Sequence, residues 1–285
     1  MFADDTCLVF SSSNLNELQI MINCEVRKID DWMASNKLTL NYSKTRFMLT
    51  HRKKDNPLLN LYINNNKIEQ VRSFEYLGVT IDEKLSWSEH IKTVETKLSQ
   101  ACGALARLRH HVDHRCLRAM YYGHAYSHLQ YSILAWSSVP KYRLKKINVL
   151  HNRLIRILTL YGPLDFNYTG LNFTNTELYK SAQLLNFDEI RELELAKYMH
   201  RAINNNLPTT LTNYFRRPNH RYELRSRAAN PFIPNDAITA PYQKWITCAG
   251  IEMWSQISNE LKILPYPVFK RKMKKFLLEK LPDST

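Results

Sequence analysis

No apolar run in the 285 residues approaches the length of a bilayer span. The first residues are acidic where a secretory leader is basic, so a signal peptide is not expected. The cysteines Cys7, Cys24, Cys102, Cys116 and Cys248 are odd in number and widely scattered. That pattern argues against a disulfide framework or zinc module and for a reducing compartment. The expectation is a soluble, intracellular protein of the nucleus, the cytoplasm or both, with no membrane partner. There are only 6 glycines, and none builds a Gly-rich phosphate loop. No Ser/His/Asp arrangement, internal repeat or low-complexity tract is visible. Carboxylates are in deficit as well, 26 against 40 lysines and arginines, for a net charge of +14.

An apolar content of 44% and a length sufficient for about two domains are ordinary for a folded protein. The charge is more informative, because it is unevenly spread. Residues 1–100 are neutral, 101–165 carry +8, 166–206 carry −1 and 207–285 carry +7. Clustered Lys and Arg neutralising phosphates explain two such blocks most simply, with a generally basic soluble surface as the alternative.

Residues 6–10, TCLVF, read as a short strand. Leu15, Leu18, Ile22, Ile29, Trp32 and Met33 recur at helical spacing, with Asn14 and Glu17 as a capping box. LTLNYSKTRFMLT reads as two short strands around a turn at Asn41–Lys44. LNLYINNNKIEQV reads as a hairpin turning at Asn64–Asn66, and SFEYLGVTID as a strand broken by Gly78. After Trp87 the period becomes helical: Ile91, Val94, Leu98, Ala101, Leu105 and Leu108 form one stripe. Helices are predicted at 114–136 and 141–160, joined near Pro140, and at 175–185, 188–205, 240–258 and 266–280.

Asp4 and Asp5 are adjacent. Neighbouring side chains on a regular strand face opposite ways, so the pair serves one site only at a bend. There, behind the small Ala3, two carboxylates would suit hard divalent cations. A solvated turn or a helix start is the plainer reading. His110, His111 and His114 near Cys102 and Cys116 match no zinc spacing, and His124 with His128 read as packing rather than metal ligation. Lys141, Arg143, Lys145, Lys146, Arg153 and Arg156 are the densest part of the first basic block, with a solvated helix face as the alternative. Arg216, Arg217, Arg221, Arg225 and Arg227 surround Tyr222, an RNA-binding mixture or a flexible basic linker.

Taken in order, FADD, WMASNKLTLNYSKT and FEYLGVTID resemble the reverse transcriptase of non-LTR, LINE-like retrotransposons, jockey-type elements in particular. LQYSILAW, LHNRLIRIL, NNNLP and HRYELRSR extend the resemblance over essentially the whole chain. It implies an α+β fold: a partial polymerase palm of short antiparallel strands plus one helix (1–84), a mainly α-helical thumb (85–160) and an α-helical C-terminal region (161–285) containing the basic segment 216–227. It further implies that Asp4 and Asp5 ligate two catalytic Mg2+ ions and that Lys44 assists the leaving pyrophosphate. Phe74, Tyr76, Leu77 and Gly78 would form the primer grip. The implied partners are an RNA template, a DNA primer or RNA–DNA hybrid, and deoxynucleotides. The family's third catalytic aspartate, fingers and first palm strands lie upstream of this turn, so the chain is expected to be a fragment without polymerase activity. The competing expectations are a non-catalytic nucleic-acid-binding helical module and a decayed fragment without function.

Overall fold

Asn14 starts the first helix. The structure, a computed structural model, describes residues 5–51, 57–159, 173–215, 232 and 246–280, and divides into two units, Met1–Glu89 and His90–Thr285. In the first unit, Asn14 is extended (φ −116°) and its side chain accepts the Asn16 N–H at 2.9 Å, capping α1 (Leu15–Ser35). The capping box does not close: the Glu17 carboxylate instead accepts the Ser12 hydroxyl at 3.4 Å. Leu15, Leu18, Ile22 and Val26 face Leu49, Leu59, Leu61, Ile63 and Ile68, the unit's core. Trp32, expected on the same stripe, is more than half exposed.

The strands are short: β1 (Arg46–Phe47), β2 (Tyr62–Ile63), β3 (Asn66–Lys67), β4 (Glu69–Gln70), β5 (Ser73–Tyr76) and β6 (Val79–Asp82). They form three two-stranded ladders, β1–β4 parallel, β2–β3 and β5–β6 antiparallel. The first half of LTLNYSKTRFMLT takes no strand. TCLVF does not form one either. Only Asp5 makes an isolated bridge, and residues 6–9 are exposed coil, while Phe10 docks on the core.

Side-chain amides complete the backbone bonding of the segment leading into β2. Gln19 accepts from the Asn60 N–H (3.0 Å), and Asn23 accepts from the Tyr62 N–H (3.1 Å) while donating to the Asn60 carbonyl (3.4 Å). Gln70 accepts from the Leu59 N–H and donates to the Pro57 carbonyl, both at 3.1 Å. Backbone N–H and C=O groups that no strand pairs need other partners, and here three amides supply what a neighbouring strand otherwise would.

The predicted Asn turn forms with two residues, Asn64 (φ 45°) and Asn65 (φ 63°), both left-handed as a tight hairpin requires. The β5–β6 turn uses the same conformation at Leu77 (φ 48°) and Gly78 (φ 75°). SFEYLGVTID is therefore a complete hairpin rather than one interrupted strand. Glycine tolerates that backbone, whereas leucine does so at a cost of about 1–2 kcal/mol. Leu77→Gly is accordingly expected to raise the first unit's unfolding free energy by about 1 kcal/mol in urea titration.

The second unit is helical: α2 (Ser88–Leu108), which begins in the first unit, then α3 (His114–Tyr121), a π-turn at Tyr122–Tyr126, α4 (Ser127–Gln130), α5 (Ile133–Trp136), α6 (Lys141–Thr159), α7 (Asn175–Ala182), α8 (Phe187–Ile203) and α9 (Thr209–Thr212). Near the C-terminus come α10 (Ile246–Gln256), α11 (Asn259–Lys262) and α12 (Tyr266–Lys280). The single helix expected over 114–136 is thus three, with a π-turn between the first two. The last break falls at Ser132, which is left-handed (φ 49°). Thr174 and Asn186 close genuine capping boxes with Glu177 and Glu189, which fixes the starts of α7 and α8. α8 is central, with Phe187, Ile190, Ala196 and Met199 inaccessible to solvent as it packs against α4, α5, α10 and α12. Of the helix predicted at 240–258, residues 240–245 lie outside the described residues. No described helix is long and apolar enough to cross a membrane.

Candidate nucleic-acid interface

In the first unit Asn41 organises the LNYSKT segment. Its carbonyl accepts the N–H groups of Lys44 (3.1 Å) and Thr45 (3.0 Å), and its side-chain oxygen accepts the Ser43 hydroxyl at 2.7 Å. An Asn side chain bonding to the residues that follow it is a common way to set a tight turn. Lys44 projects from this turn exposed. The neighbouring Tyr42 hydroxyl donates to Asp30, a buried carboxylate of α1, at 3.3 Å, and the Asn64 amide donates to the same carboxylate. This Asp30–Tyr42–Asn64 network ties α1, the lysine turn and the β2–β3 turn together. Nothing in the residue pattern pointed to it, because its members lie far apart in sequence.

The chain then enters β1, whose Arg46 ion-pairs with Glu69 of β4 at 2.9 Å, and β4 leads within three residues into β5. On the β5–β6 hairpin Phe74 opposes Ile81 and Tyr76 opposes Val79, so these four share one face. Val79 is buried, Tyr76 and Leu77 are half-buried, Gly78 is exposed at the tip, and Phe74 is exposed nearer the open end of the hairpin. Beyond β6 the Asp82 carboxylate accepts from the N–H groups of Lys84, Ser86 and Trp87 and from the Ser86 hydroxyl, at 2.7–3.2 Å. The hairpin is thereby anchored to a structured loop.

Asp5 is exposed, and Asp4 lies outside the described residues. Hard cations need several oxygens at close range. Among the described residues no three His, Cys, Asp or Glu side chains gather for an ion, so these residues alone do not fit a Mg2+ pair. His110, His111 and His114 are exposed, whereas Cys102 is buried with its thiol toward the Leu150 carbonyl at 3.5 Å. Burial pushes that thiol's pKa up, as befits a packing group rather than a ligand.

In the second unit, α6 buries Leu144, Ile147, Leu150, His151, Leu154, Ile155, Ile157 and Leu158. At 3.6 residues per turn, Lys141, Lys145, Lys146, Arg153 and Arg156 then fall within an arc of about 140° on the opposite side. All five are exposed, while Arg143 lies outside the arc and is half-buried. Lys146 ion-pairs with Glu95 of α2 at 2.9 Å, and Arg156 donates to the Asn175 side chain at 3.1 Å. The same face carries Tyr142, exposed by 71%, with the Arg143 guanidinium 5.9 Å from its ring centroid. Tyr142 escaped the motif reading, and its signal was an aromatic placed between two cations on the polar side of an amphipathic helix. Arg216, Arg217, Arg221, Arg225 and Arg227 lie outside the described residues.

No family model matches the chain, and no solved structure matches it. Curated relatives do. A Pol polyprotein from the type-1 retrotransposable element R1 2 of Nasonia vitripennis is 25% identical over 156 residues, covering 50% of this chain and 36% of its own length. The probable RNA-directed DNA polymerases of transposons X-element and BS, both from Drosophila melanogaster, are 24% and 26% identical over 195 and 162 residues. They match 67% and 55% of this chain, which spans only 20% and 18% of their lengths. By sequence, the chain is similar to part of these retrotransposon polymerases and spans about a third or less of their length.

Proposed function

We propose that this chain is the C-terminal part of an RNA-directed DNA polymerase and holds the template–primer duplex. The observation that carries this reading is the α6 face, where five exposed cations lie on one arc beside an exposed tyrosine. Such a surface neutralises phosphates along a backbone without reading bases, as a processive polymerase requires. In this reading residues 1–84 are palm, 85–160 thumb and 161–285 a C-terminal region. The Phe74–Gly78 hairpin grips the primer end, and Lys44 meets the leaving pyrophosphate. Asp4 and Asp5 contribute to a Mg2+ site that needs further carboxylates. The partners are an RNA template, a DNA primer and deoxynucleotides.

The test is binding of a labelled RNA–DNA hybrid by the purified chain over a range of KCl. The expected log–log salt slope is several units, and K141Q/K145Q/R153Q/R156Q should flatten it by about 3–4. A wild-type slope near zero would exclude the reading. Primer extension with magnesium and deoxynucleotides distinguishes a polymerase part from a complete enzyme, and no extension above background is expected from these 285 residues alone. A module that only binds nucleic acid would share the α6 result. It separates at the primer end: a primer grip makes the wild type favour a recessed end over a blunt hybrid and Phe74→Ala lose that preference, whereas a binding module shows no preference in either.

A further inference from the structure

The second basic block of the sequence includes α12. α12 carries six cations, Lys270, Arg271, Lys272, Lys274, Lys275 and Lys280, against one carboxylate, Glu279. Phe269, Met273 and Leu277 point into the core, which turns Arg271, Lys274 and Lys275 to the other side. There they meet Arg118 of α3 and Lys180 of α7 around an open cleft of about 460 Å3. Among the described residues, five cations from three helices therefore line one cleft with one carboxylate, Glu279, which pairs with Lys275 at 3.6 Å. Arg118, Lys180 and Lys274 are half-buried, so their charge is partly removed from water.

The Arg118 guanidinium donates to the Ala182 carbonyl at 2.6 Å and sits 5.7 Å from the Tyr122 ring centroid. That carbonyl closes α7, so the cleft's cations are held at a helix C-terminus, where the helix field favours them. The held guanidinium keeps further N–H donors for a ligand.

We propose that this cleft is a second nucleic-acid contact, seizing the phosphodiester backbone of single-stranded RNA through cations other than those of α6. The chemistry favours a repeating phosphate chain over a nucleotide or free phosphate. The positive groups are spread over three helices rather than focused. Among the described residues the lining offers Leu278 but no aromatic on which a base would stack, and no helix N-terminus to cradle one phosphate. This inference rests on nucleic acid being the partner, but it concerns a different set of cations and is testable separately.

The experiment uses the full chain and a fluorescent mixed-sequence single-stranded RNA, read by anisotropy over a KCl series. K180Q/R271Q/K274Q is expected to lower the salt slope by about 2, at roughly 0.7 per lost phosphate contact, and to do so again in the α6 variant background. Lysine acetylation of the wild-type chain, mapped by mass spectrometry, is expected to show RNA shielding Lys180 and Lys274, a readout that requires no substitution. A groove variant with the wild-type slope and unshielded lysines would overturn this inference while leaving the α6 reading in place. Absence of any RNA binding by the wild type would overturn both. Displacement of the RNA by polyglutamate at equal charge as well as by unlabelled RNA would assign the cleft to an acidic protein segment instead.

Discussion

Trp136→Ala is expected to remove about 3–5 kcal/mol from the stability of the helical unit, the range for truncating a buried tryptophan. Trp136 is wholly buried, edge-on to His90 at 5.6 Å and against Phe187 at 5.7 Å. It also answers for the break at Ser132. Where the helix stops, the Tyr131 carbonyl is released, and the Trp136 indole N–H donates to it at 3.0 Å. Trp136→Phe retains most of the packing but abandons that carbonyl, so a loss of about 1–3 kcal/mol is expected from it. Urea unfolding followed by circular dichroism at 222 nm checks both. Equal losses for the two variants would show that the hydrogen bond, not the ring volume, dominates.

Acidification provides the second large effect. His151 of α6 is fully buried; its Nε2 lies 2.8 Å from the Tyr121 hydroxyl, the two rings are stacked, and Tyr179 stands edge-on at 5.3 Å. Its Nδ1 has no partner among the described residues. An imidazolium has two N–H donors to satisfy, and burial here pushes its pKa down to about 3 from an ordinary 6.5. Between those values the unfolded chain binds the proton and the folded chain does not. The stabilisation from a neutral His151 is therefore full above pH 6.5 and lost as the pH falls toward 3. From pH 7 to pH 4 the loss is about 3 kcal/mol.

Glu189 works in the opposite direction. Desolvation pushes its carboxyl up to about 7, against the backbone hydrogen bond from Asn186 that lowers it. Its contribution is full at acid pH and fades as the pH rises through 7. His151→Phe, paired with Tyr121→Phe to avoid stranding the hydroxyl, is expected to abolish the acid loss. The variant's unfolding free energy should then be higher at pH 5 than at pH 7, because the Glu189 effect is no longer opposed by His151. A variant retaining the wild-type acid slope would contradict this assignment.

Helices with one clean apolar stripe were legible from residue pattern alone. The expectation of 266–280 coincides with α12, and 188–205 differs from α8 by a residue or two at each end. Apolar spacing decides such elements, and capping residues such as Asn186 mark where they begin. The break within 114–136 was illegible because SHLQYSILAW contains neither glycine nor proline. A tertiary interaction, the burial of Trp136, sets it. Leu77 was missed for a related reason, since leucine is a poor predictor of a left-handed turn. The α6 cations could be read from sequence because one helix presents them. The cleft cations could not, because positions 118, 180 and 271–275 meet only through packing.

The amide side chains that flank residues 57–62 have a bearing on how this chain behaves among other proteins. A polypeptide whose exposed peptide groups already have partners offers no rail along which a stranger's extended segment can lie down. Gln19, Asn23 and Gln70 thereby act as stoppers, turning a potential site of intermolecular zippering into a closed surface.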